Sequence, residues 1–236
     1  MKSEEIFSIS LDIGEAIIRC GGEVHRAEDT IKRINRAYGC SCNVFAIPSL
    51  IIAQSENKIQ LRKIEREETD LAELARLNEL SRKICYKGSE EINITQKKLY
   101  SKTLEAIGVC AATSAFCIFF KGTLIDAVFS AMIGLVITYA PYKKIRFPLF
   151  SANLIDAFIA GILAYLPTVF DFEVLPDKII IGTIMLLVPG LTVVNAMRDM
   201  MSGDLVAGMF ELFNAIMSAL GIALGTAGAV LIFTKL

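Results

Sequence analysis

Residues 205–233 read LVAGMFELFNAIMSALGIALGTAGAVLIF, with Glu211 as the single charged side chain. A helix needs roughly 17–25 largely apolar residues to cross a bilayer core, and this run exceeds that. Four more apolar runs precede it, at about 104–120, 122–140, 149–170 and 178–197, separated by short charged loops. The acids inside the runs are few: Glu105, Asp126, Asp156 and Glu211, with Asp199 at a boundary. So sparse a set of charges could not cover the surface of a soluble globule. Residues 103–236 are therefore expected to form a transmembrane domain of about five helices.

The remainder of the chain has a different composition. Across all 236 residues, hydrophobic side chains make up 54% and mean hydropathy is +0.54, yet Lys+Arg (24) and Asp+Glu (25) nearly balance. Of these 49 charges, 33 fall in residues 1–102. The fold class expected is an α-helical multi-pass membrane protein with a small N-terminal cytoplasmic α+β domain over residues 1–102. The balanced charge excludes a nucleic-acid footprint, since no Lys/Arg stripe outweighs its acidic neighbours. Met1-Lys2-Ser3-Glu4-Glu5 has acids where a signal peptide has a basic segment. The six cysteines show no disulfide framework and are read as reduced thiols. Cys40-Ser-Cys42 lacks a second ligand pair, so neither a metal nor another cofactor is expected.

Within the charged region, Ile6, Ile9, Ile13, Ala16 and Ile17 form a helical stripe that Gly21-Gly22 stops. A second helix is expected from about Glu23 to Tyr38, ending at Gly39. Strand patterns follow at Asn43 to Ile47, Leu50 to Gln54 and Lys58 to Ile64. Thr69 or Asp70 then caps a helix to about Tyr86, and Glu90 to Lys102 connects to the membrane part.

Loop charges predict the topology. Lys143, Lys144 and Arg146 in the 141–148 loop place it in the cytoplasm by the positive-inside rule. Asp171, Glu173 and Asp177 against Lys178 suit the outside, and Arg198 returns 198–204 to the inside. An untranslocated N-terminal domain gives the same assignments and puts the C-terminus outside.

Several apolar runs carry polar groups at helical spacing. Glu211, Asn214, Ser218, Gly221 and Gly225 recur every three or four residues and share one face. Asn153, Asp156 and Ala160 share another, and Asp126 lies a turn inside the second run. A carboxyl in low dielectric can carry a proton or pair with a cation. The glycines also suit close helix packing, and Asp126 also suits a helix end. Pro189-Gly190 should break the fourth run, since proline removes a donor and glycine tolerates unwinding. Broken helices are where transporters present backbone groups to substrate. Thr192, Asn195 and Asp199 follow on one face. In the charged region, His25 has no nucleophile, phosphate loop or zinc motif near it, so a hydrolase using His25 and Glu23 lacks its central group.

Two segments together resemble the N-terminal half of the threonine/serine exporter (ThrE) family, whose split-subunit members include the YjjP-like proteins. The first is Gly21-Gly22-Glu23-Val24-His25-Arg26-Ala27-Glu28-Asp29-Thr30, with Arg33 and Ala37-Tyr38-Gly39 after it. Arg66 and Leu77-Asn78-Glu79-Leu80-Ser81-Arg82 are similar to a later cytoplasmic motif. The second is Val188-Pro189-Gly190, Asn195-Ala196, Asp199, Gly203-Asp204 and Gly208, and Pro141 and Asp156-Ala157-Phe158 to Pro167 also fit. Gly22 stands in place of an Ala, and Glu211 where several relatives carry Arg. The resemblance implies a bacterial inner-membrane exporter of threonine and serine or, in split versions, of dicarboxylates. It implies a separately encoded second hydrophobic half, since fused relatives carry twice as many spans.

The expected function is thus one subunit of a proton-coupled secondary exporter in the lipid bilayer of the inner membrane, acting on a small amino acid or dicarboxylate. In that reading Asn195 and the backbone at Pro189-Gly190 bind substrate, Asp156 or Asp199 takes the proton, and Glu211 pairs with a cation or partner residue. The alternative is a membrane-tethered regulatory or sensory protein acting through its cytoplasmic domain.

Overall fold

The computed structural model describes residues 3–55, 58–65, 69–87, 100–140 and 147–234. Arg66, most of the connector from Glu90, Pro141 with the basic residues of the 141–146 loop, and Lys235-Leu236 lie outside the described residues. The described residues are mostly helical with one small sheet, and their elements fall into two compact units.

The first unit contains α1 (Ser3–Arg19), α2 (Val24–Ala37), a sheet of β1 (Asn43–Ile47), β2 (Leu50–Ser55) and β3 (Lys58–Lys63), and α3 (Leu71–Lys87). Residues 191–213 belong to it as well. Of the helical stripe of α1, Ile6, Ile13, Ala16 and Ile17 are buried and Ile9 partly so; with Phe7 and Leu11 they share one core with Ile31 and Ile34 of α2, Ile51 of β2 and Leu77 of α3. Gly21 ends α1 at φ +80°, where the N–H of Gly22 reaches the carbonyl of Ile17 and that of Gly21 the carbonyl of Ile18. Only glycine takes this left-handed step without penalty. Gly39 does the same for α2 at φ +75°. The sheet is antiparallel in the order β1-β2-β3, with Ile47 opposite Leu50 across Pro48-Ser49. Alternation puts Ala46, Ile51 and Ala53 on the core face.

The second unit contains α4 (Lys102–Phe119), α5 (Leu124–Tyr139), α6 (Leu149–Val169), α7 (Pro176–Ile184) and residues 214–234 of α9 (Leu205–Thr234). Helices α4, α6 and α9 are long and apolar enough to cross a membrane, whereas α5 is an apolar helix of 16 residues. The 178–197 run, read from sequence as one span, is divided between α7 and α8 (Gly190–Met201), with turn and irregular backbone at 185–189. Pro189 accounts for the break: it lacks the N–H that an unbroken helix would use, and it disfavours helical backbone at Val188.

Small residues set the α6–α9 crossing. A Cβ on Gly221 would sit 2.6 Å from the carbonyl oxygen of Phe150. One on Gly225 would strike the carbonyl oxygen of Leu154 and stand 2.9 Å from the amide of Phe158. These are backbone atoms that cannot swing aside, so the two glycines serve close helix approach. Gly225→Leu should therefore lower the thermal midpoint of the purified protein in detergent, with overpacking costing about 1–3 kcal/mol. Gly228→Ala, whose added carbon meets only the Phe158 ring at 3.5 Å, should leave the midpoint unchanged or raise it, because alanine is the better helix former.

Candidate functional site

Helix α2 begins with backbone N–H groups that have no partner within the helix. Its N-cap residue, Glu23, makes no side-chain cap bond. The missing acceptor comes from 175 residues further along the chain. Asp199 on α8 is 1% exposed and accepts from the N–H of Val24 at 3.4 Å and of His25 at 3.2 Å. A carboxylate at a helix N-terminus also meets the positive end of the helix dipole. Burial pushes the Asp199 carboxyl above its ordinary range; the two N–H groups hold it down, and Glu23 and Glu211 add to the rise.

Three further contacts hold the same turn. Asn195, one turn earlier on α8, donates to the carbonyl of Gly21 at 2.9 Å. Arg198 donates through Nη1 to Oε1 of Glu23 at 2.6 Å, and His25 Nδ1 lies 3.0 Å from Oδ2 of Asp204. Residues 195, 198 and 199 share one face of α8 by their three- and four-residue spacing. The cluster has little room to spare. A Cβ on Gly21 would stand 2.6 Å from Thr69 Oγ1, and one on Gly208 would meet Met200 and the carbonyl of Ala196. Glu23 and His25, considered above as an acid–base pair, face Arg198 and Asp204 instead.

The other residues of the N-terminal motif take separate places. Glu28 is buried and accepts from the Ala46 N–H at 2.7 Å and from Lys32 Nζ at 2.9 Å, tying α2 to β1. Asn78 donates to the carbonyl of Leu74 within α3. Arg26 and Asp29 are exposed on α2.

In the second unit, α6 buries Asn153, Asp156, Ala157, Ala160, Gly161 and Ala164 along one face. Asn153 donates to Ser218 of α9, while Asp156, 3% exposed, is the single charged side chain of this helix. Asn214 on α9 is half-buried; in the first unit, Thr192 on α8 is half-buried and Glu211 on α9 is buried. Asp126 accepts from the backbone N–H and hydroxyl of Thr123 at 2.7 and 2.8 Å, completing a capping box on α5. Its other oxygen accepts from the Leu175 N–H, just before α7, at 2.8 Å. At Gly190 an added Cβ would meet open space, so the glycine there is not required by packing.

Sequence reasoning missed one polar cluster. Ser130 of α5 lies 3.2 Å from the carbonyl of Thr113 on α4 and 3.3 Å from Thr183 Oγ1 on α7. Its signal was available in the small residues around it. Gly134 faces the Thr113 side chain, and Gly182 faces Ser130 and Cys117.

The Asp199 cluster joins residues 21–25 to residues 195–204, the two segments whose pattern is similar to the exporters. A family model described as "Putative threonine/serine exporter" (ThrE) matches residues 8–233. The chain belongs to the ThrE family. No curated protein and no solved structure matches it. Membership places this ThrE protein among transporters rather than enzymes and points to export of threonine and serine.

Asp199→Ala would leave the first amides of α2 without their acceptor inside the fold. Hydrogen exchange at Val24 and His25 should speed at least about tenfold, for a cost of roughly 1–3 kcal/mol. Asp199→Asn, which keeps an acceptor oxygen, should give a smaller change.

Proposed function

We propose that this ThrE protein is one subunit of a proton-coupled secondary exporter in a bacterial inner membrane, working with a separately encoded hydrophobic second half. It exports threonine, serine or a related small solute, with dicarboxylates as the second substrate class. The observation that carries the reading is Asp156, a carboxyl almost fully buried in α6 beside Asn153. Ionisable groups inside apolar membrane helices are costly and mark ion or proton pathways. Of the two carboxyls considered for the proton, Asp156 is the one inside a helix long and apolar enough to cross the membrane. The substrate's polar groups are met by the unwound backbone before α8, where Leu187, Val188 and Pro189 interrupt the helix. The loop charges support a cytoplasmic N-terminus, five passes counting the broken fourth run, and an external C-terminus.

The rival reading, a tethered regulatory protein, requires the membrane helices to tolerate loss of their polar groups. Cells preloaded with a Thr- or Ser-containing dipeptide, and cells accumulating succinate, should release the solute faster only when both halves are present. Asp156→Asn should abolish that efflux with the protein still in the membrane. Efflux unchanged by the substitution would remove Asp156 from the pathway. No efflux in any combination would favour the regulatory reading.

A further inference from the structure

The sheet of the first unit has one face in the core and one in the open. Phe45, Ile52 and Leu61 lie directly opposite one another across the three strands, and Ile59 follows two residues before Leu61 on the same face. They are 54%, 37%, 63% and 68% exposed. An antiparallel sheet with one solvated face normally alternates apolar inward and polar outward. Here the outward positions are apolar too, as a contiguous block. Four such side chains present on the order of a few hundred Å² of apolar surface, the size of the largest patch on a typical soluble monomer, which is often functional.

The chemistry of the face selects its occupant. Of its nine positions only Lys63 is charged, and none is acidic. A lipid surface is recognised by clusters of Lys and Arg beside the apolar groups, which a single lysine does not supply. A strongly charged protein would find no opposite field there either. An uncharged face suits an uncharged face. This one is also self-complementary: a two-fold axis parallel to β2 would lay Ile52 over Ile52 of a second copy and Phe45 over Leu61 of that copy. Two antiparallel sheets pack this way at about 10 Å, with strands nearly aligned. Both apolar blocks with their rims would bury on the order of 1,000 Å², the lower bound for a specific interface.

We propose that the exposed face of the β1-β2-β3 sheet is a homodimer interface, in which two copies of this chain pack sheet against sheet about Ile52. The inference is independent of which solute the protein moves. The test is photo-crosslinking in intact membranes of the full chain carrying a benzophenone amino acid at position 52, with two differently tagged copies co-expressed. A product of twice the chain's 25.8 kDa that carries both tags is the expected result. Adding Leu61→Lys should cut that product at least about tenfold, because the lysine would be buried unpaired between the sheets. Leu61 is exposed in the single chain, so the substitution should leave the amount of folded protein in the membrane unchanged. Crosslinks only to lipid or to another polypeptide, no crosslink at all, or a dimer undiminished by Leu61→Lys would each overturn the proposal.

Discussion

A buried carboxylate at the start of a helix organises the first unit. The first N–H groups of α2 need an acceptor, and Glu23 does not provide one. Asp199 meets that need from α8, and in exchange the N–H groups and the helix dipole stabilise a charge that burial alone would disfavour. Each side of the contact satisfies the other's cost. The neighbouring contacts of Asn195, Arg198 and His25 with Gly21, Glu23 and Asp204 depend on the same register of α8 against the turn. Removing the carboxylate would strand the amides, and removing the turn would strand the carboxylate.

Elsewhere the same demand is met locally. Asp126 closes its own helix end with Thr123 and also binds the Leu175 N–H, so a carboxyl that reads as a pathway group has a capping role. The glycines of α9 allow backbone to approach backbone at α6. Asp156 differs from these in position, buried inside α6 rather than at a helix end.

Much of the fold was legible in the sequence. The Gly21 and Gly39 stops, the three strands and the α3 start follow from periodicity and turn chemistry, which act over a few residues. Three of the apolar runs, those of α4, α6 and α9, were equally clear as helices long enough to cross a membrane, because bilayer thickness sets a length that composition reveals directly. Proline at 189 announced a break in the fourth run, since its missing N–H is a covalent fact rather than a matter of context.

The partners of the polar residues were not legible. Nothing within a few residues of Asp199 shows that it caps a helix beginning at Val24, or that Asn195 holds the Gly21 carbonyl. The Ser130, Thr113 and Thr183 contacts join three helices whose sequences are apolar almost throughout. By itself the sequence determined the helices, the strands and the run lengths, because local backbone sterics and hydrophobic periodicity suffice for those. Only the tertiary structure decided which carboxylates cap, which glycines pack and which sheet face stays open. Those assignments depend on atoms far apart in the chain that compete for the same hydrogen-bonding and packing partners.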